Sequence, residues 1–128
     1  MRKLSTIQKR ENLNEVYAVD NPGNGGAHHE YVIYKDVLVD PVALDHEKIN
    51  LLNIQFQNGA RKEEESIDGV LDTDLLEIVR HRMQCFQAGP YASEYNAKAL
   101  EHIELALMYL NRRIEDRIER NVLGTNNK

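Results

Sequence analysis

Three arginines near the C-terminal end have the spacing that most clearly suggests chemistry. Arg113, Arg117 and Arg120 stand at positions i, i+4 and i+7, so a helix would present them on one face. Two explanations of such a face remain open. It is either a solvated surface whose charges pair with acidic residues of the same helix and complement its C-terminus, or a phosphate site, because the planar guanidinium fork matches phosphate oxygens.

Two further residues, Asn96 and Phe86, have side chains that could recognise a nucleotide. Asn96 continues an apolar stripe one turn before Leu100, where an amide needs hydrogen-bond partners. Those partners are either backbone groups at a turn or the ribose hydroxyls and base edge of a ligand. Phe86 stands near the end of another predicted helix, and its ring belongs either to the core or to a surface on which a base stacks.

The sequence contains no convincing catalytic set. There is no phosphate-binding P-loop and no G-x-S-x-G motif, and no pair of carboxylates is marked out for acid–base chemistry. The histidines are scattered, so we expect no metal site, and Cys85 is the only cysteine, which excludes an internal disulfide. A binding protein without a cofactor is therefore favoured over an enzyme.

The overall charge and length narrow the class of partner. The chain has 128 residues, with 16 Lys and Arg against 21 Asp and Glu, a formal charge of −5. Nonspecific DNA or RNA binding depends on basic charge, so we expect neither a general DNA or RNA coat protein nor a DNA partner, whereas a small phosphorylated ligand needs only a local basic pocket. No apolar run approaches the roughly 18 residues of a membrane helix, and no secretory signal is recognised, so we expect a soluble cytoplasmic protein.

The elements that must position these residues divide the chain into a β-rich part and a helical part. Three strands are predicted, at Asn14–Val19, Glu30–Tyr34 and Lys48–Phe56, with turn signals at Asp40-Pro41 and Asn58-Gly59. The glycine-rich loop Asn21–Gly26 connects the first two strands and could form either a plain hairpin loop or a cradle of backbone amides.

The second half reads as an antiparallel helical hairpin. Its apolar residues recur at spacings of three and four, in the stripes Leu76, Val79, Met83, Phe86 and Leu100, Ile103, Leu107, Leu110, Ile114. The predicted helix ends are Asp72 or Thr73, Gly89-Pro90, Ser93 and Gly124. The second helix would then be roughly 45 Å long, so we expect it to pack against another copy of the chain. The predicted fold is α+β in a single domain, with a small antiparallel sheet at 13–59, the hairpin at 73–123, and flexible ends at 1–12 and 124–128.

Several stretches resemble a phage family of helical hairpins. They are Phe56-Gln57-Asn58-Gly59, Asp74-Leu75-Leu76, Phe86-Gln87-Ala88-Gly89-Pro90-Tyr91 and Asn96-Ala97-Lys98-Ala99-Leu100. Upstream, Asn21–Tyr31 resembles the β-rich extension of the anti-Thoeris branch, which the shorter anti-CBASS relatives lack. The resemblance covers roughly residues 13–124, and its specific part is the F-Q-A-G-P turn with the downstream N-A-x-A-L.

The resemblance implies a function and a site. Members of this family are sponges that sequester the nucleotide signals of bacterial immunity, and the anti-Thoeris branch holds glyco-cyclic ADP-ribose intact in a pocket between two subunits. Carried over by position, Phe86 would stack on the adenine, Asn96 would hydrogen-bond the ligand, and Arg113 and Arg117 would pair with the pyrophosphate. Arg61 is a further implied contact, although Ala60-Arg61-Lys62 departs from the short turn of the relatives.

The resemblance also implies an assembly and leaves alternatives open. Some members form hexamers from dimers and bind cyclic di- or trinucleotides at separate sites, for which Gly26 and His28 are the candidate lining here. The implied location is the host bacterial cytoplasm during phage infection. The alternative functions are a cyclic-nucleotide-degrading enzyme and a phage protein–protein interaction module.

Overall fold

The computed structural model describes residues Met1–Lys128 and contains one antiparallel sheet followed by two helices. The strands, in their order across the sheet, are β1 (Arg2–Lys3), β2 (Asn14–Ala18), β3 (Glu30–Asp40) and β4 (Asp45–Gln55). A short 3₁₀ turn at Asn24–Gly26 lies between β2 and β3. The helices are α1 (Asp72–Gln87) and α2 (Glu94–Glu119), so the predicted α+β class is confirmed.

Strands β3 and β4 are longer than the sequence predicts. Each has 11 residues, and their pairing continues to Asp40 opposite Asp45 with register shifts after Ile33 and Leu38. The predicted turn at Asp40-Pro41 is confirmed, because the Asp40 carboxylate accepts hydrogen bonds from the backbone N–H groups of Val42 and Ala43. The charged residues near the turn that joins β3 and β4 have low β propensity, and cross-strand pairing overrides that local preference.

The core of the sheet is small. Tyr17, Ala18 and Val32 are its buried apolar residues, and Tyr17 and Val32 face each other across β2 and β3. Nearby, the rings of Tyr31 and Phe56 meet edge to face with centroids 5.5 Å apart, a favourable aromatic geometry.

A cluster of polar side chains ties three strands together. The Glu15 carboxylate on β2 accepts a hydrogen bond from the Tyr17 hydroxyl at 2.7 Å and pairs with Lys3 of β1 at 3.1 Å and Lys48 of β4 at 3.4 Å. The Tyr17 hydroxyl and the Lys3 ammonium lower the pKa of Glu15 to about 2. These charge-assisted contacts join β1 and β4, which are not neighbours in the sheet.

The ends of the hairpin helices follow local sequence signals only in part. Helix α1 stops at Gln87 before Gly89, and Ser93 caps α2 by accepting a hydrogen bond from Asn96 N–H at 3.1 Å, as predicted. The prediction of Asp72 or Thr73 as the first cap is wrong. Leu71 holds that position, and its N–H donates to the Asp74 carboxylate at 2.8 Å.

The predicted end of α2 at Gly124 is also wrong. The helix ends at Glu119, and Asn121 then adopts a left-handed conformation with φ 57° that reverses the chain before Gly124 is reached. Asn tolerates this conformation better than most residues because its short side chain bonds locally. At 26 residues, α2 is about 39 Å long.

The chain divides into two compact units. One contains Met1–Asn58 and Ile67–Gly69, and the other contains Gly59–Ser66 and Val70–Lys128. Residues expected in a flexible end, Arg2 and Lys3, pair with β2. Neither helix of the chain has the length and apolar character needed to cross a membrane.

Candidate functional site

The residues proposed to recognise a nucleotide lie at two separate places on the hairpin. Phe86 is in the last turn of α1 and Asn96 in the first turn of α2, whereas Arg113 and Arg117 are in the last two turns of α2. The 17 positions from Asn96 to Arg113 correspond to about 26 Å along the helix. One copy of the chain therefore does not bring the amide and the arginines together.

Phe86 is half-buried, and a cation covers one face of its ring. The guanidinium carbon of Arg82, one helical turn earlier, lies 5.5 Å from the ring centroid. This distance is within the range of a cation–π contact. Arg82 is not among the residues predicted from the sequence, although its i, i+4 spacing from Phe86 is visible there.

The side-chain amide nitrogen of Asn96 is hydrogen-bonded at the turn between the helices. Its Nδ2 donates to the carbonyl oxygen of Tyr91 at 3.2 Å, which is the backbone role that the sequence left open. The same turn is closed by Gln87, whose Oε1 accepts from Ser93 N–H at 2.9 Å. These bonds fix the orientation of the Asn96 side chain, and its carbonyl oxygen makes no hydrogen bond within the chain.

The three arginines of α2 have three different environments. Arg120 pairs with Asp116 at 3.0 Å, which is the solvated ion-pair arrangement. Arg117 is half-buried and donates to the carbonyl oxygens of Val122 and Thr125, both at 3.0 Å. Arg113 is exposed and has no hydrogen bond or ion pair within the chain, so its charge is available to an anion from outside.

Arg61 lies next to a segment that is tied to this same end of α2. The backbone N–H of Lys62 donates to the carbonyl oxygen of Gly124 at 3.0 Å, within the turn that Arg117 also contacts. The Lys62 side chain lies against Gly124 as well. Arg61 is therefore in the neighbourhood of Arg117 and belongs to the same compact unit.

The glycine loop carries Gly26 and His28, the candidates for a second site. Gly25 and Gly26 have φ angles of 74° and 82°, which favour glycine. His28 Nδ1 lies 2.7 Å from the carbonyl oxygen of Asp20. Burial raises the pKa of Asp20, but hydrogen bonds from the backbone N–H groups of His29 and Glu30 outweigh this and leave that pKa below its ordinary value.

The protein sequence matches a described family over more than half of its length. The family is Acb2/Tad1, hairpin domain, and the match covers residues 47–115.

The chain belongs to this family.

A relative from Bacillus phage SBSphiJ7, named Thoeris anti-defense 1, is 38% identical over 78 residues, which are 61% of this chain and 54% of the relative. The matched part of the chain thus covers about half the length of that relative. The family resemblance seen in the sequence is confirmed.

The family match includes most of the candidate site. Arg61, Phe86, Asn96 and Arg113 lie within residues 47–115, whereas Arg117 follows the matched segment. Gly26 and His28 precede it. The matched hairpin domain therefore carries four of the five candidate nucleotide-binding residues, and the second-site candidates belong to the unit that contains the sheet.

The hairpin domain also has an open groove of about 390 Å³ along α2. It is lined by Gln87, Ala97, Leu100, Glu101, Glu104, Leu105 and Met108. Glu104 is held by Arg80 of α1, whose Nε lies 2.8 Å from its carboxylate. The floor of the groove is apolar, so it offers a surface for packing more than for anion recognition.

Two residues of α1, His81 and Cys85, form a pair that was not predicted from the sequence. His81 Nε2 and Cys85 Sγ lie 3.8 Å apart at i, i+4 spacing, and both side chains are exposed. Metal sites in proteins need three or four such ligands. No group of three or more His, Cys, Asp or Glu residues in the chain is arranged to hold a metal ion.

Proposed function

We propose that this protein is a phage anti-defence sponge that binds and sequesters glyco-cyclic ADP-ribose, without degrading it, in the cytoplasm of the infected host. The observation that carries the proposal is the match to a phage protein named Thoeris anti-defense 1, together with the family match across the hairpin. Sequestration requires no catalytic group, and it keeps the signal from the Thoeris effector.

The charge and shape of the site residues suit this ligand. Its pyrophosphate needs cations whose charge is not already compensated, and Arg113 meets that condition. The adenine can stack on Phe86, and the ribose hydroxyls can donate to the Asn96 carbonyl oxygen, whose side chain is held at the turn. Arg117 and Arg61 add positive charge at the same end of the hairpin.

The distance between these residues supports a site shared by two copies. About 26 Å separates Asn96 from Arg113 along α2, more than a single cyclic nucleotide can span. Two hairpins packed antiparallel would bring the turn of one copy to the arginines of the other. Met108 and Tyr109, which are 62% and 68% exposed on α2, provide apolar surface for that packing. We therefore propose a dimer as the binding unit, with a hexamer as the larger assembly.

A second site for cyclic di- or trinucleotides is proposed in the glycine loop. No atom lies within 4 Å of the position that a Cβ of Gly25 or Gly26 would occupy, so a ligand can approach the backbone there. His28 stands two residues further on and is held by Asp20. These features support Gly26 and His28 as part of its lining.

Calorimetric titration with glyco-cyclic ADP-ribose tests the first site. Nanomolar affinity corresponds to about −12 kcal/mol, and one charge-assisted bond to phosphate contributes about 1.5–3 kcal/mol. Arg113→Ala should therefore weaken binding about 10- to 100-fold. Arg112→Ala, which removes the same charge from the neighbouring helix position, should stay within about threefold.

One outcome of the titration would contradict the proposal. If Arg113→Ala binds as tightly as the unmodified protein, the assignment of the arginine end is wrong. Arg117→Ala is a poorer probe, because Arg117 also holds the C-terminal turn through two backbone carbonyls. Its loss would change local structure as well as ligand contacts.

A further inference from the structure

Arg82 differs from the other arginine of α1 in what its charge contacts. Arg80 pairs with Glu104 at 2.8 Å and with Glu77 at 3.4 Å. Arg82 has no carboxylate partner, and its guanidinium instead lies over the Phe86 ring at 5.5 Å from the centroid. An exposed arginine with a full positive charge thus rests against the aromatic residue of the candidate site.

Helix geometry explains why these two side chains meet. Long side chains on a helix point back toward its N-terminus, so a residue covers the turn that precedes it. Phe86 therefore leans toward the turn that carries Arg82, four residues earlier. The contact is built from neighbouring positions on one rigid helix and does not depend on a second copy of the chain.

We propose that Arg82 is a positioning residue for base recognition: it covers one face of the Phe86 ring, so that the adenine of the ligand stacks on the opposite face. This inference rests on the proposed function. The guanidinium restricts the ring to one orientation, which lowers the ordering cost of binding. The guanidinium also draws the π-electrons of the ring toward itself, away from the face on which the adenine would stack.

Ligand binding by Arg82 variants tests the role of the residue. The free energy of a cation–π contact at an exposed site is large enough to change affinity by about two- to fivefold. Arg82→Ala should weaken binding of glyco-cyclic ADP-ribose by about fivefold in calorimetry. Arg82→Lys should stay within about twofold of the unmodified protein, since an ammonium can also sit over the ring. Gln84→Ala, on the same helix and also exposed, is the matched control and should not change affinity.

A measurement without ligand tests the contact itself. The ring current of Phe86 should shift the NMR signals of the Arg82 side chain, and the shift should vanish in Phe86→Leu. An Arg82→Ala variant with unmodified affinity would overturn the positioning role alone. An Arg82→Lys variant as weak as Arg82→Ala would overturn it too, because a cation over the ring would then not suffice.

The two proposals fail in different ways. If the unmodified protein does not bind glyco-cyclic ADP-ribose, both the sponge function and the role of Arg82 are overturned, whatever the NMR signals show. If it binds and only the Arg82 results fail, the sponge function stands without this residue.

Discussion

The three arginines at the end of α2 have the same side chain but different neighbours within a few ångströms. Arg120 has a carboxylate one turn away, Arg117 reaches two backbone carbonyls, and Arg113 has neither. Spacing alone could not separate these cases, because the partners of Arg117 lie beyond the end of the helix. At the residue scale, the sequence predicted the basic face but not which cation remains available to a ligand.

Glu15 makes the stability of the sheet depend on pH. Its pKa of about 2 in the folded protein lies below the ordinary value of 4.5, so its contribution is fully present above about pH 4.5. That contribution is lost as the pH falls from there toward 2, because protonation breaks the ion pairs. By linkage, a pKa lowered from 4.5 to about 2 corresponds to a contribution of about 3 kcal/mol at neutral pH.

Urea unfolding checks this dependence. Glu15→Gln should lower the free energy of unfolding at pH 7 and should flatten its decline between pH 4.5 and 2.5. Glu30→Gln, which removes an exposed carboxylate from β3, serves as the control and should behave like the unmodified protein. An unchanged pH profile in Glu15→Gln would show that the polar cluster does not stabilise the folded sheet.

At the scale of elements, local sequence signals predicted some helix ends and missed others, and the pairing of distant residues left no local signal. Ser93 and Gly89-Pro90 act within one turn, and both predictions are confirmed. The extension of β3 to Asp40 depends on pairing with β4, which no local pattern shows. Leu52, Ile54 and Phe56 alternate with polar residues, a pattern typical of a strand with one buried face, yet Leu52 is 48% exposed within one copy.

Gly69 provides a test of packing between the end of β4 and the segment that follows. A Cβ at this position would lie 2.3 Å from the carbonyl oxygen of Gln55 and 2.5 Å from the carbonyl carbon of Phe56. Because these are backbone atoms, they cannot move aside cheaply. Gly69→Ala should therefore reduce the free energy of unfolding by about 1–3 kcal/mol.

The same substitution at Gly89 is the matched control. The nearest atom to a Cβ there is the carbonyl oxygen of Cys85 at 3.4 Å, an ordinary contact. Gly89→Ala should lower the urea midpoint much less than Gly69→Ala. Equal midpoints for the two variants would contradict the close backbone approach at Gly69.

At the scale of the whole molecule, one copy of the chain buries little apolar surface. Neither helix has a fully buried residue, and the residues of the predicted stripes are half-buried except Val79, which is exposed. Ile78, Met108 and Tyr109 are more than half exposed. A sequence read as one chain cannot show which of its apolar residues the proposed second copy would cover, and this limits how far the site could be predicted.

Mixed dimers test whether the site is shared. Asn96→Ala and Arg113→Ala should each bind poorly, but a dimer with one chain of each kind should regain about one intact site of the two. Such dimers can be isolated by co-expressing the variants with different affinity tags and purifying on both. If no binding returns, the two residues act within a single chain, and the shared pocket is wrong.

The central claim is that the ligand is held intact, and its most direct test identifies what the protein releases. The purified protein is incubated with glyco-cyclic ADP-ribose, freed of unbound ligand and heat-denatured, and the supernatant is analysed by chromatography and mass spectrometry. We predict release of the unchanged ligand in near-stoichiometric amount. Recovery of a degraded product, or of no nucleotide at all, would contradict the account.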